Sequence, residues 1–155
     1  MNTLTIDSPI GSLQLVSNSR ALVAIHFPGH HRPPQPAPDD RILNLAAQQL
    51  GEYFRGQRKT FDLPLDGGGT AFQQAVWQAL RVIPHGELRS YRDIARAIGR
   101  ERAVRAVGAA NGRNPLPIVV PCHRVIGSDG RLTGYAGGLT IKQQLLELEG
   151  AASQR

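Results

Sequence analysis

Residues able to do chemistry meet in one short stretch, Pro121-Cys122-His123-Arg124-Val125, and its cysteine is the only one in 155 residues. A lone cysteine cannot close an internal disulfide, and a neighbouring imidazole and guanidinium both favour the thiolate, the form that attacks electrophiles. The alternative is a small buried hydrophobe, because free cysteine is among the residue types most often found inside. Adjacent side chains diverge along a strand and stand about 100° apart on a helix. Cys122 and His123 therefore cooperate only through a bridging water or a sharp backbone turn. The apolar run Ile118-Val119-Val120, held extended ahead of Pro121, reads as the end of a buried strand that aims the thiol into a cavity.

A histidine at such a site needs a carboxylate to fix its tautomer and stabilise imidazolium. Thr140 and Gln143 have capping-box spacing and open a helix that stops at Gly150, with Ile141, Leu145 and Leu148 inward. On that wheel Glu149 falls about 55° from the centre of the apolar face and Glu147 about 145° from it, so Glu149 is the candidate partner. The loop Gly134-Tyr135-Ala136-Gly137-Gly138 offers backbone amides and one aromatic wall for a flat ligand.

The elements that position these groups are helices with clear start signals. Thr70 and Gln73 again have capping-box spacing, ahead of Phe72, Val76, Leu80 and Ile83, and that helix stops at Pro84-His85-Gly86. Ser90 caps a short helix bearing Ile94, Ala95 and Ile98, ended by Gly99; after Arg100-Glu101-Arg102 another runs to about Asn111. Two short helices joined by a glycine turn suggest a helix-turn-helix. In the second, Val104 and Val107 form the buried stripe, while Arg105, Ala109 and Gly112 lie opposite with Gly108 close by. Its outer ridge is almost bare backbone carrying one cation, a shape suited to a narrow DNA groove, with the arginine available to fill the space left by an extruded base. Close packing against another helix of the protein is the competing explanation.

Residues 81–131 carry ten arginines against four acids, an excess equal to the net charge of +6 of the whole chain; the rest balances. That concentration fits a surface docking on phosphates. The first half reads differently. Short alternating runs around Leu4-Ile6, Leu13-Leu15 and Leu22-Ala24, separated by turn signals, predict an antiparallel meander. Residues 28–38 hold five prolines and form a loop; His30 and His31 within it are not expected to bind metal. Asp39-Asp40 open an amphipathic helix to about Phe54, and Lys59 to Leu65 reads as a further strand. The glycine run at residues 67–69 marks the expected boundary between an N-terminal α/β domain, 1–66, and a C-terminal domain, 67–155. No run of some eighteen apolar residues spans a bilayer and no signal peptide opens the chain, so a cytoplasmic location is expected.

Taken in order, Gly69-Thr70-Ala71-Phe72-Gln73, Val76-Trp77, Ile83-Pro84-His85-Gly86, Ser90-Tyr91, Arg105-Ala106-Val107-Gly108, Asn114-Pro115, Pro121-Cys122-His123-Arg124-Val125, Gly134-Tyr135, Leu145-Leu146 and Glu149-Gly150 resemble the bacterial O6-alkylguanine-DNA alkyltransferases. The resemblance implies an α+β protein: a small antiparallel sheet with a helix, ribonuclease H-like, then a mostly helical, winged-helix-like domain with a helix-turn-helix. It implies a single, irreversible transfer of an alkyl group from guanine O6, less well from thymine O4, to Cys122, with the base flipped out of duplex DNA. His123 would act as base through water and Glu149 would orient it, with Asn114 as a hinge. Tyr91 would bond the flipped guanine at N3 and rotate the 3′ phosphate. Arg105 would replace the flipped base on a surface shared with Ala106, Gly108, Ala109 and Gly112. Pro117, Val125, Tyr135 and Ala136 would line the pocket. No cofactor, zinc or obligate protein partner is expected, and the partner would be double-stranded DNA met by a monomer. A cysteine hydrolase would instead turn over repeatedly, and a non-enzymatic reader of alkylated DNA would lack the reactive cysteine. A helix-turn-helix regulator would need a base-reading polar helix.

Overall fold

The computed structural model describes residues 1–151. The chain forms two compact units, Met1–Gly68 and a second that begins at Gly69. In the first, β1 (Asn2–Ile6), β2 (Leu13–Ser17) and β3 (Leu22–His26) make an antiparallel meander in the order β1-β2-β3, with Leu15 level with Leu4 on one side and Ile25 on the other. Every residue of the central strand β2 is buried, because both its neighbours and the segments laid over it exclude water. Helix α1 (Arg41–Phe54) packs on this sheet through Leu43, Ala46, Leu50 and Tyr53, and Asp40 caps it by accepting from the Leu43 amide.

The proline-rich loop is stitched to the sheet. Buried Gln14 donates to the Arg32 carbonyl and accepts from the Arg32 amide, while Thr3 and Gln35 exchange two further bonds. Residues 59–65 do not form the expected strand. Only Leu65 bridges to Leu22, held by bonds from the Leu22 amide to the Pro64 carbonyl and from the Asp66 amide to the Leu22 carbonyl. Pro64 has no amide to continue a ladder, and the Asp62 amide is taken by the Gln49 side chain instead.

The second unit is built from α2 (Ala71–Arg81), the short strand β4 (Arg89–Ser90), α3 (Tyr91–Ala97), α4 (Val104–Gly112), β5 (Val125–Ile126) and α5 (Leu139–Glu149). Thr70 with Gln73 and Ser90 with Asp93 form complete capping boxes, which fix where α2 and α3 begin. Helices α2, α3 and α4 pack on one another, and the Trp77 indole of α2 donates to the Ala110 carbonyl of α4 at 2.9 Å. Strands β4 and β5 pair in parallel, which brings the start of α3 beside the residues that follow Cys122.

Two helix faces differ from expectation. Val107, Ala110 and Asn111 form the buried stripe of α4, and Val104 at its first turn is only half-buried. On α5 the inward residues are Lys142, Leu145, Leu146 and Glu149, and Leu148 is exposed. Nor does a Thr140–Gln143 capping box open α5. Its N-cap is Gly138, at φ 93°, a conformation that favours glycine; Gln143 bonds Glu147 further along.

Candidate active site

Cys122, His123 and Arg124 form a single 3-10 turn between a buried loop and β5, and all three are buried. The expected strand through Ile118–Val120 is absent: Ile118 sits at φ +75°, rare for a β-branched residue, in a tight turn in which Pro117 bridges Val120. Asn114, just beyond α4, holds this turn. Its amide donates to the Val120 carbonyl at 2.8 Å and its side-chain oxygen accepts from the Leu116 amide at 3.0 Å. Asn111, on α4 itself, reaches the Cys122 carbonyl at 3.5 Å. The helix that presents Arg105 is thus joined by two asparagines to the backbone that presents the thiol.

The 3-10 turn sends neighbouring side chains different ways. His123 is fully buried, its Nε2 lies 2.7 Å from Glu149 Oε2, and its Nδ1 has no partner among the described residues. With Nε2 donating to the carboxylate, Nδ1 carries the free lone pair. Burial is the largest cause lowering the His123 pKa, against the opposing pull of Glu149, so the ring is a neutral base at physiological pH. Arg124 does not face the sulfur, as adjacency suggested. It clasps Glu149 with Nε to Oε1 at 2.8 Å and Nη2 to Oε2 at 3.0 Å, and gives Nη1 to the Ile83 carbonyl at 2.6 Å. The Gly86 amide adds a fourth bond to Glu149 Oε1. A buried carboxylate so thoroughly satisfied is a fixed ionic post, and the Pro84-His85-Gly86 turn is part of its support.

Burial pushes the Cys122 thiol up, while hydrogen bonds from Asn114 and Tyr135 and the positive charge of Lys142 act the other way. Val125 is fully buried behind the turn, and its carbonyl accepts from Lys142 Nζ at 2.7 Å. Tyr91, at the start of α3, bonds Thr133 Oγ1 at 2.7 Å, and its ring lies against Gly108, where a Cβ would stand 3.9 Å away. Cys122, His123, Glu149, Asn114, Tyr135, Val125 and Pro117 therefore converge, and Tyr91 reaches the same loop through Thr133. Arg105, Ala106, Ala109 and Gly112 stay exposed on α4, and Ala136 is exposed on the loop.

Sequence reasoning missed Lys142, Thr133, Asn111 and the inward role of Arg124. Lys142 stands seven residues before Glu149, which puts it about 20° from it on the helical wheel. The periodicity that selected Glu149 selects Lys142 too. Among the described residues no group of histidine, cysteine and carboxylate side chains is arranged to hold a metal, and no helix is long and apolar enough to cross a membrane.

Two family models match the chain: 6-O-methylguanine DNA methyltransferase, ribonuclease-like domain, over residues 2–67, and 6-O-methylguanine DNA methyltransferase, DNA binding domain, over residues 71–151. The chain is 52% identical over 148 residues to a methylated-DNA–protein-cysteine methyltransferase of Methanosarcina barkeri, covering 93% of this chain and 94% of that one. It is similar to a crystal structure of Mycobacterium tuberculosis OGT in complex with DNA, with a TM-score of 0.91 at 48% identity over 98% of this chain and 94% of the other. A crystal structure of the O6-methylguanine methyltransferase of the same organism gives a TM-score of 0.89 at 48% identity, over 97% and 93% of the two chains.

Proposed function

The chain belongs to the 6-O-methylguanine DNA methyltransferase family, and from that premise we propose how its own residues carry the reaction. It reverses alkylation damage by moving the O6-alkyl group of guanine in DNA onto its single cysteine, in one irreversible step. The acceptor is Cys122. A water relays its proton to His123 Nδ1, and the imidazolium so formed is held by Glu149. The sulfur lone pair then attacks the alkyl carbon, the carbon–O6 bond breaks, and its electron pair passes into the guanine ring, where a proton delivered from Tyr91 neutralises it. The product is a thioether, which offers water no carbonyl to attack, so each molecule acts once.

The observation that carries this reading is the His123 ring, tied to Glu149 through Nε2 at 2.7 Å with its other nitrogen unpartnered one residue from the sulfur. The damaged base reaches that sulfur only if the nucleotide leaves the stack. We assign Arg105 to the gap it leaves, and the exposed small residues Ala106, Ala109 and Gly112, with Gly108 beside Tyr91, to close approach of the duplex. Tyr91 bonds guanine N3 and turns the 3′ phosphate, Asn114 links this helix to the reactive turn, and Pro117, Val125, Tyr135 and Ala136 line the pocket. The protein works as a monomer on double-stranded DNA in the cytoplasm, the first unit serving as the α/β scaffold. A reader or regulator without transfer activity has no use for a cysteine so placed.

Mass spectrometry after incubation with O6-methylguanine DNA tests the assignment. One methyl group should appear on the peptide containing Cys122 and reaction should stop at one equivalent, while Cys122→Ser should leave the lesion in place. Product in excess of protein, or undiminished repair by Cys122→Ser, would overturn it.

A further inference from the structure

We propose that Lys142 is the electrostatic partner of the Cys122 thiolate: from α5 it sets a buried ammonium beside the reactive turn and ties the loop bearing Tyr135 across it. This inference rests on the alkyl-transfer reading above and adds a residue that reading does not use. Lys142 is fully buried, an expensive place for an ammonium group, which strong burial usually discharges. The carboxylate on its own face of the helix, Glu149, is engaged by His123, Arg124 and the Gly86 amide. Burial lowers the Lys142 pKa to about 8, and the negative charge acting to raise it is that of Cys122.

The contacts of the ammonium explain what it holds. Nζ donates to the Val125 carbonyl at 2.7 Å, directly after the 3-10 turn, and to the Thr133 carbonyl at 3.4 Å, and lies 5.9 Å from the centre of the Tyr135 ring. Thr133 is the residue that pairs with Tyr91, and Tyr135 is among the groups that act to lower the Cys122 pKa. One cation thus bridges the turn carrying the nucleophile and the loop carrying Thr133 and Tyr135. Cys122 and His123 of the turn lie within its electrostatic reach, the loop gives it the Thr133 carbonyl and the Tyr135 ring, and Glu149, seven residues along α5, is taken up by His123 and Arg124. Lys142 forms no covalent bond and gives up no proton. When the thiol proton passes to His123, the ammonium offsets the charge left on sulfur; when the sulfur–carbon bond forms, that charge disappears.

Two measurements on the full chain test this without DNA. The first is the rate of Cys122 modification by iodoacetamide against pH in wild type and Lys142→Met, a side chain of similar length. The midpoint should rise by at least one pH unit and the rate at pH 7 should fall at least tenfold; an unchanged midpoint overturns the proposal. The second stands even if Lys142→Met does not fold. The chain has two lysines, and exposed Lys59 serves as internal reference in a lysine side-chain NMR titration. Lys142 should titrate at least one pH unit lower in Cys122→Ala than in wild type, and identical titrations overturn the proposal. Because neither readout involves alkylguanine, failure here leaves the transfer reaction standing, whereas failure of the methyl-transfer assay leaves these titrations interpretable.

Discussion

The proposed role of His123 as a base requires it to be neutral, and its neutrality has a thermodynamic signature. Its folded pKa lies below the ordinary value of 6.5, chiefly through burial. An imidazole in the unfolded chain takes up a proton as pH falls through about 6.5 and the buried one does not. Stability is therefore full above that pH and is lost below it, with a limiting slope of about 1.4 kcal/mol per pH unit for one proton. His26, in the first unit, is lowered in the same direction by partial burial and the nearby Arg32, so His26→Gln is the background in which to look. Urea unfolding of that variant should show stability falling between pH 7 and 5.5, and a flat profile would mean that His123 is not held neutral. At this scale the pairing of His123 with Glu149 was legible, since a histidine beside a lone cysteine and a wheel position for Glu149 are properties of the string. The destination of Arg124 was not. Adjacency places a guanidinium near the thiol, and only the 3-10 turn swings it into Glu149.

The starts of α1, α2 and α3 were readable, because capping is local: Asp40, Thr70 and Ser90 each bond an amide three residues on, whereas α5 opens on Gly138 with no side-chain cap to signal it. The turn before Cys122 was the least readable, since nothing in Ile118-Val119-Val120 announces a positive φ; side-chain bonds from Asn114 to Leu116 and Val120 sustain it. The thin face of α4 yields an element-scale prediction. Arg105 and Ala109 are both exposed, so Arg105→Ala and Ala109→Gln should each change stability by less than about 0.5 kcal/mol. If this ridge enters a DNA groove, both variants should repair duplex O6-methylguanine at least tenfold more slowly while reacting normally with free O6-benzylguanine. Arg105→Ala empties the space of the extruded base, and Ala109→Gln thickens the helix where backbone must approach. Equal effects on duplex and free base would take α4 out of the interface.

For the whole molecule the decisive quantity is where the charge sits. All of the excess of +6 falls in residues 81–131, but the sequence could not say how much of it faces water. Arg124 is spent internally on Glu149, and Arg89 is half-buried and paired with Glu87. The other eight arginines of the segment, at positions 81, 92, 96, 100, 102, 105, 113 and 131, are exposed. Not all can lie on one side of a small unit. If about five of them reach phosphates, the affinity for duplex should fall by two to three orders of magnitude between 50 and 200 mM salt, because each neutralised phosphate releases condensed counterion. Reaction with free O6-benzylguanine, which is neutral, shares the buried Cys122 chemistry but none of this electrostatics and should hold its rate across the same range. Stopped-flow transfer rates at sub-saturating DNA, set against that control, separate the two contributions. Salt-independent repair of duplex would mean that the basic segment only solvates the surface, and equal losses for both substrates would place the salt effect in the reactive turn.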